Sequence, residues 1–130
     1  MTHSETMKLA VKRAAQGTPK DALTILEEGI REAQEEGDAR WTSMFAASAA
    51  IMSEQIGETQ LAIRYTRTAA EHSPADPSFL LNLARLYEGT GDREQCRTVL
   101  GLCRELCARN KDGWILEEVG RMLTRLSADG

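Results

Sequence analysis

The side chains with the sharpest chemistry in this sequence are three cysteines, Cys96, Cys103 and Cys107. A thiolate is both a nucleophile and a soft-metal ligand. Spacings of seven and four put all three on one face of a single helix, where Cys103 and Cys107 could share a metal. A zinc site needs ligands from at least a second segment, and no partner Cys or His pair stands elsewhere in the chain. A Cys103–Cys107 disulfide is also disfavoured, because i,i+4 Cα atoms lie about 6 Å apart with poorly aimed Cβ vectors. The odd number of cysteines fits free thiols in a reducing compartment, serving as compact hydrophobes.

The two histidines, His3 and His72, fall near helix ends, and neither has a nucleophile or carboxylate at a motif spacing. There is no G-x-S-x-G, H-E-x-x-H, Walker loop or G-x-G-x-x-G. Gly89-Thr90-Gly91 reads as a helix-ending turn rather than a phosphate cradle, since no G-K-[ST] follows it. The expectation is a chain with no catalytic residues, no metal and no cofactor. An enzyme remains only as a remote, thiol-based alternative.

Charge excludes further classes. The sequence carries 16 basic against 20 acidic residues, for a net charge of −4. Nucleic-acid binders neutralise phosphates with a basic stripe, and here the one charge run is acidic: Glu27, Glu28, Glu32, Glu35, Glu36 and Asp38, relieved only by Arg31. That run reads as a solvated helix face entering a turn. No stretch reaches the roughly 18 apolar residues of a membrane span, and the first residues have neither the basic flank nor the apolar run of a signal peptide. A cytoplasmic protein without nucleic acid as a partner is expected.

Whatever binds here is positioned by helices. The 130 residues include 17 alanines but only two each of Trp, Tyr and Phe, with prolines confined to Pro19, Pro74 and Pro77. That composition favours helix over sheet. Thr2-x-x-Glu5 has capping-box form and opens a helix running to about Gln16, before Gly17. Thr18-Pro19 opens a second, to Gly37, and Asp38 caps a third that ends near Gly57. A fourth spans about Thr59 to His72. Asp76-Pro77 opens a fifth, Asp92-x-x-Gln95 a sixth and Asp112 a seventh, Gly113 to Leu126. In the last, Ile115, Val119, Met122 and Leu126 form one apolar stripe. No segment alternates with the period of a strand.

Beneath the helices lies a repeat. The turn glycines Gly17, Gly57 and Gly91 are offset by 40 and 34 residues, and the same offsets carry Ala10 to Ala50 to Ala84. They also carry Ala22 to Ala62 to Cys96, and Gly29 to Ala69 to Cys103. Small residues at matched positions mark places where helix axes approach closely.

The period of 34 and these small positions resemble the tetratricopeptide repeat. Residues 77–110 match best, through Leu80-x2-Leu83-Ala84-x2-Tyr87, Gly91-Asp92, Cys96-x3-Leu100 and Cys103. Residues 43–76 keep Gly57, Ala62, Ala69 and Pro74, with Ala46, Ala49, Ala50 and Ser53 where bulky residues are usual. Trp41, Phe45 and Met52 are expected to make up that volume. Residues 3–42 keep Leu9, Ala10, Gly17, Ala22, Leu26 and Gly29, with Arg13 at the tyrosine position. The resemblance implies an all-α fold: a right-handed α-solenoid of antiparallel helix pairs, seven helices in one domain. Its parts would be repeats 3–42, 43–76 and 77–110 and a capping helix at 111–127, with Trp114 at the repeat's tryptophan position.

In that family the first helix of each repeat lines a concave groove. The resemblance therefore places a partner-binding surface at Met7, Lys8 and Val11, then Met44, Ala47 and Ile51, then Leu81, Asn82 and Arg85. Some members grip C-terminal carboxylates with a Lys, Asn and Arg cluster. Lys8, Asn82 and Arg85 are of that kind, but the middle repeat adds no basic residue. An apolar, Met-containing groove suits a helical or extended apolar segment better. The expected function is a non-catalytic adaptor holding a protein or peptide segment. The alternatives are a secretion-type chaperone and a self-associating structural unit.

Overall fold

The computed structural model describes residues 1–129, and the sequence punctuation accounts for its elements. Seven helices follow in order: α1 (His3–Ala15), α2 (Pro19–Glu35), α3 (Ala39–Gln55), α4 (Thr59–His72), α5 (Pro77–Thr90), α6 (Arg93–Asn110) and α7 (Gly113–Asp129). No strand occurs among the described residues. Thr2 and Glu5 form the expected capping box. Asp38, Asp76 and Asp92 accept from the backbone N–H groups of Trp41, Ser78 and Gln95, satisfying donors that the first turn of a helix leaves free. Thr18 departs from expectation: its hydroxyl donates back to the Arg13 carbonyl at 2.7 Å instead of capping α2.

Five of the six turns are closed by the same device. The backbone N–H groups of Thr18, Asp38, Glu58, Asp92 and Asp112 reach the carbonyls of Arg13, Ala33, Ser53, Tyr87 and Cys107, each five residues back, at 2.8–3.1 Å. This is the longer bond of a Schellman ending, and it needs a left-handed residue just before the donor. Gly17, Gly37, Gly57 and Gly91 supply it with φ between 71° and 82°, and Lys111 supplies it at 60°. The donor residue then begins the next helix, so one residue both ends a helix and starts its successor. At the sixth turn, Pro74 has no N–H to offer, and the Ser73 N–H bonds the Ala69 carbonyl instead.

The chain divides into two compact units, Met1–Ser73 and Pro74 onward. In the first, α1 packs on α2, α2 on α3 and α3 on α4, with α1 also touching α3. The small residues predicted as close-approach points are buried: Ala10, Ala22, Gly29, Ala50, Ala62 and Ala69. A Cβ built on Gly29 would stand 3.0 Å from the ring of fully buried Phe45, so α2 passes α3 at a distance that only glycine allows. Trp41 packs beside Phe45 with ring centroids 5.2 Å apart, restoring the volume missing from the alanine-rich face of α3. Buried Ser43 donates to the Ala69 carbonyl at 2.8 Å, which satisfies its hydroxyl.

In the second unit, α5 packs on α6, and α7 packs on both. Ala84, Cys96 and Cys103 are buried at the remaining small positions. The stripe Ile115, Val119, Met122 and Leu126 is buried as predicted, which fits α7 as a helix that covers an apolar face. Arg125 clamps Glu88 through two hydrogen bonds of 3.1 Å, tying α7 to α5. Trp114 is 66% exposed, so at this position the indole adds nothing to the core.

Two glycines on helices therefore respond to added volume with opposite sign. Gly29→Leu must displace the Phe45 ring and is expected to lower stability by about 1–3 kcal/mol. Gly120→Ala meets no neighbour and raises stability by about 0.5–1 kcal/mol through helix propensity. Urea denaturation of both variants checks this; a Gly29→Leu protein as stable as the parent would mean that α2 and α3 are not in close contact.

Candidate partner-binding site

A helix with one buried stripe leaves its opposite residues to solvent, and on α3 two of those are large and apolar, Met44 and Ile51. Met44, Ser48 and Ile51 follow i, i+4, i+7 along a single face. Ile51 is 54% exposed and Met44 37%, while Ala47 and Ser48 between them are half-buried. On α1, Val11 is 60% exposed, Lys8 is exposed and Met7 is half-buried. The two helices meet where the Ser48 hydroxyl lies 3.6 Å from the Met7 sulfur. Within the first unit, then, six predicted residues fall on two neighbouring helices, and Met7 is the seam between them. Exposed apolar side chains grouped on adjacent helices mark an interaction surface more often than singly scattered ones do.

The second unit contributes differently. Asn82 and Arg85 are exposed on α5, and the Arg85 guanidinium donates to the Asn82 side-chain oxygen. Leu81 is a correction to the expected site. It is only 3% exposed, because Pro77, Leu81 and Ala84 form the buried stripe of α5. The spacing that identifies a groove position from the repeat pattern also fits a core position, and here the core has it.

The thiols are equally decided. Cys96, Cys103 and Cys107 are all unexposed, and the Sγ atoms of Cys96 and Cys103 face the carbonyls of Ala84 and Pro77 at 3.3 and 3.5 Å. Burial pushes all three thiols up from their ordinary value, Cys103 to about 12 with neighbouring Cys107 adding to the shift. A protonated, solvent-inaccessible sulfur is a poor nucleophile. None of the three joins a cluster of metal-ligating side chains among the described residues.

One feature escaped the sequence. An open cleft of about 460 Å³ lies along α1 and α2, lined by Met1, Thr6, Leu9, Thr24, Ile25, Glu28 and Glu32. Leu9 and Ile25 are half-buried there.

The three-dimensional arrangement has known counterparts. SycD, a type III secretion chaperone of Yersinia enterocolitica solved with a peptide of the translocator YopD, is similar with a TM-score of 0.75 and 19% identity, over 97% of this chain and 92% of that one. The fold is tetratricopeptide-like. PcrH of Pseudomonas aeruginosa shares it at a TM-score of 0.72 and 17% identity, over 96% of this chain and 91% of its own. PcrH solved with the chaperone binding region of PopD gives 0.73 and 18%, over 97% and 91%. No family model matches the sequence, and no curated protein matches it either. At such identities the likeness is one of fold. Among the described residues, no helix of this tetratricopeptide-like chain is long and apolar enough to cross a membrane.

The buried thiols set a pH dependence. Their folded-state values lie above the unfolded ones, so their contribution to stability is complete below about pH 9 and is lost as pH rises toward 12. The melting temperature is expected to fall steadily above pH 9, and less steeply in a Cys103→Ala variant. Native protein should resist iodoacetamide, with three thiols reacting in guanidinium. Rapid native labelling of any cysteine would restore the thiol-enzyme reading.

Proposed function

We propose that this chain is a non-catalytic, chaperone-like interaction module that holds an apolar segment of a partner protein. The observation that carries the reading is the exposed Val11, Met44 and Ile51 beside half-buried Met7, on helices equivalent by repeat position. Methionine suits such a surface because its flexible, polarisable side chain adapts to varied apolar ligands. The reading is supported by the fold shared with SycD and PcrH, which were solved with a YopD peptide and with the chaperone binding regions of PopD and PopB. A secretion-type chaperone is accordingly the specific form proposed, acting in the cytoplasm without cofactor. The proposed parts of the module are repeats 3–42, 43–76 and 77–110 and the helix at 111–127. Asn82 and Arg85, exposed on α5 of the second unit, are proposed as polar contacts of that unit. Leu81 serves the core and is left out of the site.

The test is a paired substitution. Met44→Glu with Ile51→Glu places two charges on the proposed surface, where exposed substitutions shift stability by only about 0.5 kcal/mol each. Capture of the partner from an extract of the source organism should fall at least about tenfold, equivalent to roughly 1.4 kcal/mol. Melting temperature and helicity should stay near those of the parent. Labelled YopD and PopD segments serve as first probes by fluorescence anisotropy. A folded double variant that captures its partner undiminished sinks the proposal. Leu81→Glu, by contrast, buries a charge and should unfold the protein.

Self-association is a second reading, supported by SycD having been solved in an alternative dimer. Sedimentation over a hundredfold concentration range separates the two: a constant monomer excludes it.

A further inference from the structure

The acidic run that the proposed function does not use ends beside a histidine. His3 is the first residue of α1, Glu36 follows the last residue of α2, and Asp38 precedes the first of α3. The fold brings these three helix ends together. One ligating atom from each residue lies within 4.8 Å of the others, and His3 Nε2 is 2.8 Å from Glu36 Oε2.

The surroundings hold the imidazole in place. Its ring packs on Trp41 at 5.7 Å between centroids and meets Phe45 edge-on at 5.4 Å. Asp38 is fixed by its capping role, with Oδ1 accepting from the Trp41 N–H at 3.1 Å. The run contains one cation, Arg31, and it pairs with Glu28 and Glu35 rather than with Glu36 or Asp38. Two carboxylates and an imidazole are thus left facing each other in a strongly acidic stretch.

We propose that His3, Glu36 and Asp38 form a site for one divalent transition-metal ion of the Zn²⁺ class. An imidazole nitrogen with two carboxylate oxygens suits Zn²⁺ or Co²⁺. Ca²⁺ prefers six or more oxygens, and Mg²⁺ keeps most of its water. Ligand atoms about 2.0–2.2 Å from a tetrahedral ion stand roughly 3.4 Å from one another. The His3–Glu36 separation of 2.8 Å opens to reach that value, which the exposed Glu36 allows, and the other separations are at most 4.8 Å. Water completes the coordination. The bound ion ties the start of α1 to the α2–α3 turn, and so fixes the helix that carries Met7, Lys8 and Val11. Residues 33 and 35 positions apart from His3 are ligands only in the folded chain, so binding must stabilise the native state.

The test is calorimetric titration of metal-stripped protein with ZnCl₂, with thermal melts in Zn²⁺ or Mg²⁺. The expected result is one Zn²⁺ per chain and a melting temperature that rises with Zn²⁺ but not with Mg²⁺. His3→Gln and Glu36→Gln should each weaken Zn²⁺ at least about tenfold while His72→Gln leaves it unchanged. Co²⁺ should broaden the His3 ring protons in NMR spectra and show no thiolate charge-transfer band. The proposal is overturned by an absence of binding, by equal binding in a folded Glu36→Gln variant, or by a thiolate band. It is also overturned if His3→Gln lowers the metal-free melting temperature without any metal dependence, which would leave a hydrogen bond alone.

Discussion

The structure rests on how closely its helices are allowed to approach. Gly29 against the Phe45 ring shows this directly, since one added carbon would stand 3.0 Å from aromatic atoms. The aromatic ring fills what the small residue vacates, so contact area is gained on one helix because it was given up on the other. Alanine serves the same purpose at Ala10, Ala22, Ala50, Ala62, Ala69 and Ala84, and cysteine at Cys96 and Cys103. A thiol at such a position is slightly larger than alanine and still apolar, which is why burial has taken its reactivity away.

Close approach requires that each helix reverse quickly, and the turn chemistry provides this. A left-handed residue followed by a donor that bonds five residues back closes one helix within a single turn, and that donor residue starts the next. Glycine meets the backbone requirement at four turns, while Lys111 meets it at an intrinsic cost of about 1 kcal/mol. The sixth turn has Pro74 in place of the donor, and it coincides with the division between the two compact units.

Features determined within a few residues were legible in the sequence. Helix ends follow from Thr2, Asp38, Asp76, Asp92 and the turn glycines, because caps and left-handed turns are local. The stripe from Ile115 to Leu126 was legible because an amphipathic helix has only one way to bury it. The exposure of individual groove residues was not. Met7, Ala47 and Leu81 occupy the same place in the repeat pattern, and the first two are half-buried while Leu81 is core. Periodicity says which residues share a face but not how many faces of a helix are covered. The convergence of His3, Glu36 and Asp38 was illegible for a related reason. Each residue has a local explanation, as a first-turn residue, part of an acidic run and a helix cap, and their meeting depends on packing between α1 and the α2–α3 turn.

The same packing explains why an apolar surface can remain open on α3 without undermining the fold. Its buried side is already complete, with Phe45, Ala46, Ala49 and Ala50 unexposed or nearly so, and with the hydroxyls of Ser43 and Ser53 satisfied by carbonyls. Met44 and Ile51 are exposed and therefore contribute little to holding the helix. Had the core of α3 depended on bulky residues at the alanine positions, its axis would stand further from its neighbours. The seam at Met7 and Ser48 would then open. The small residues thus do two things at once: they close the core, and they bring α1 and α3 near enough for Met7 to meet Ser48.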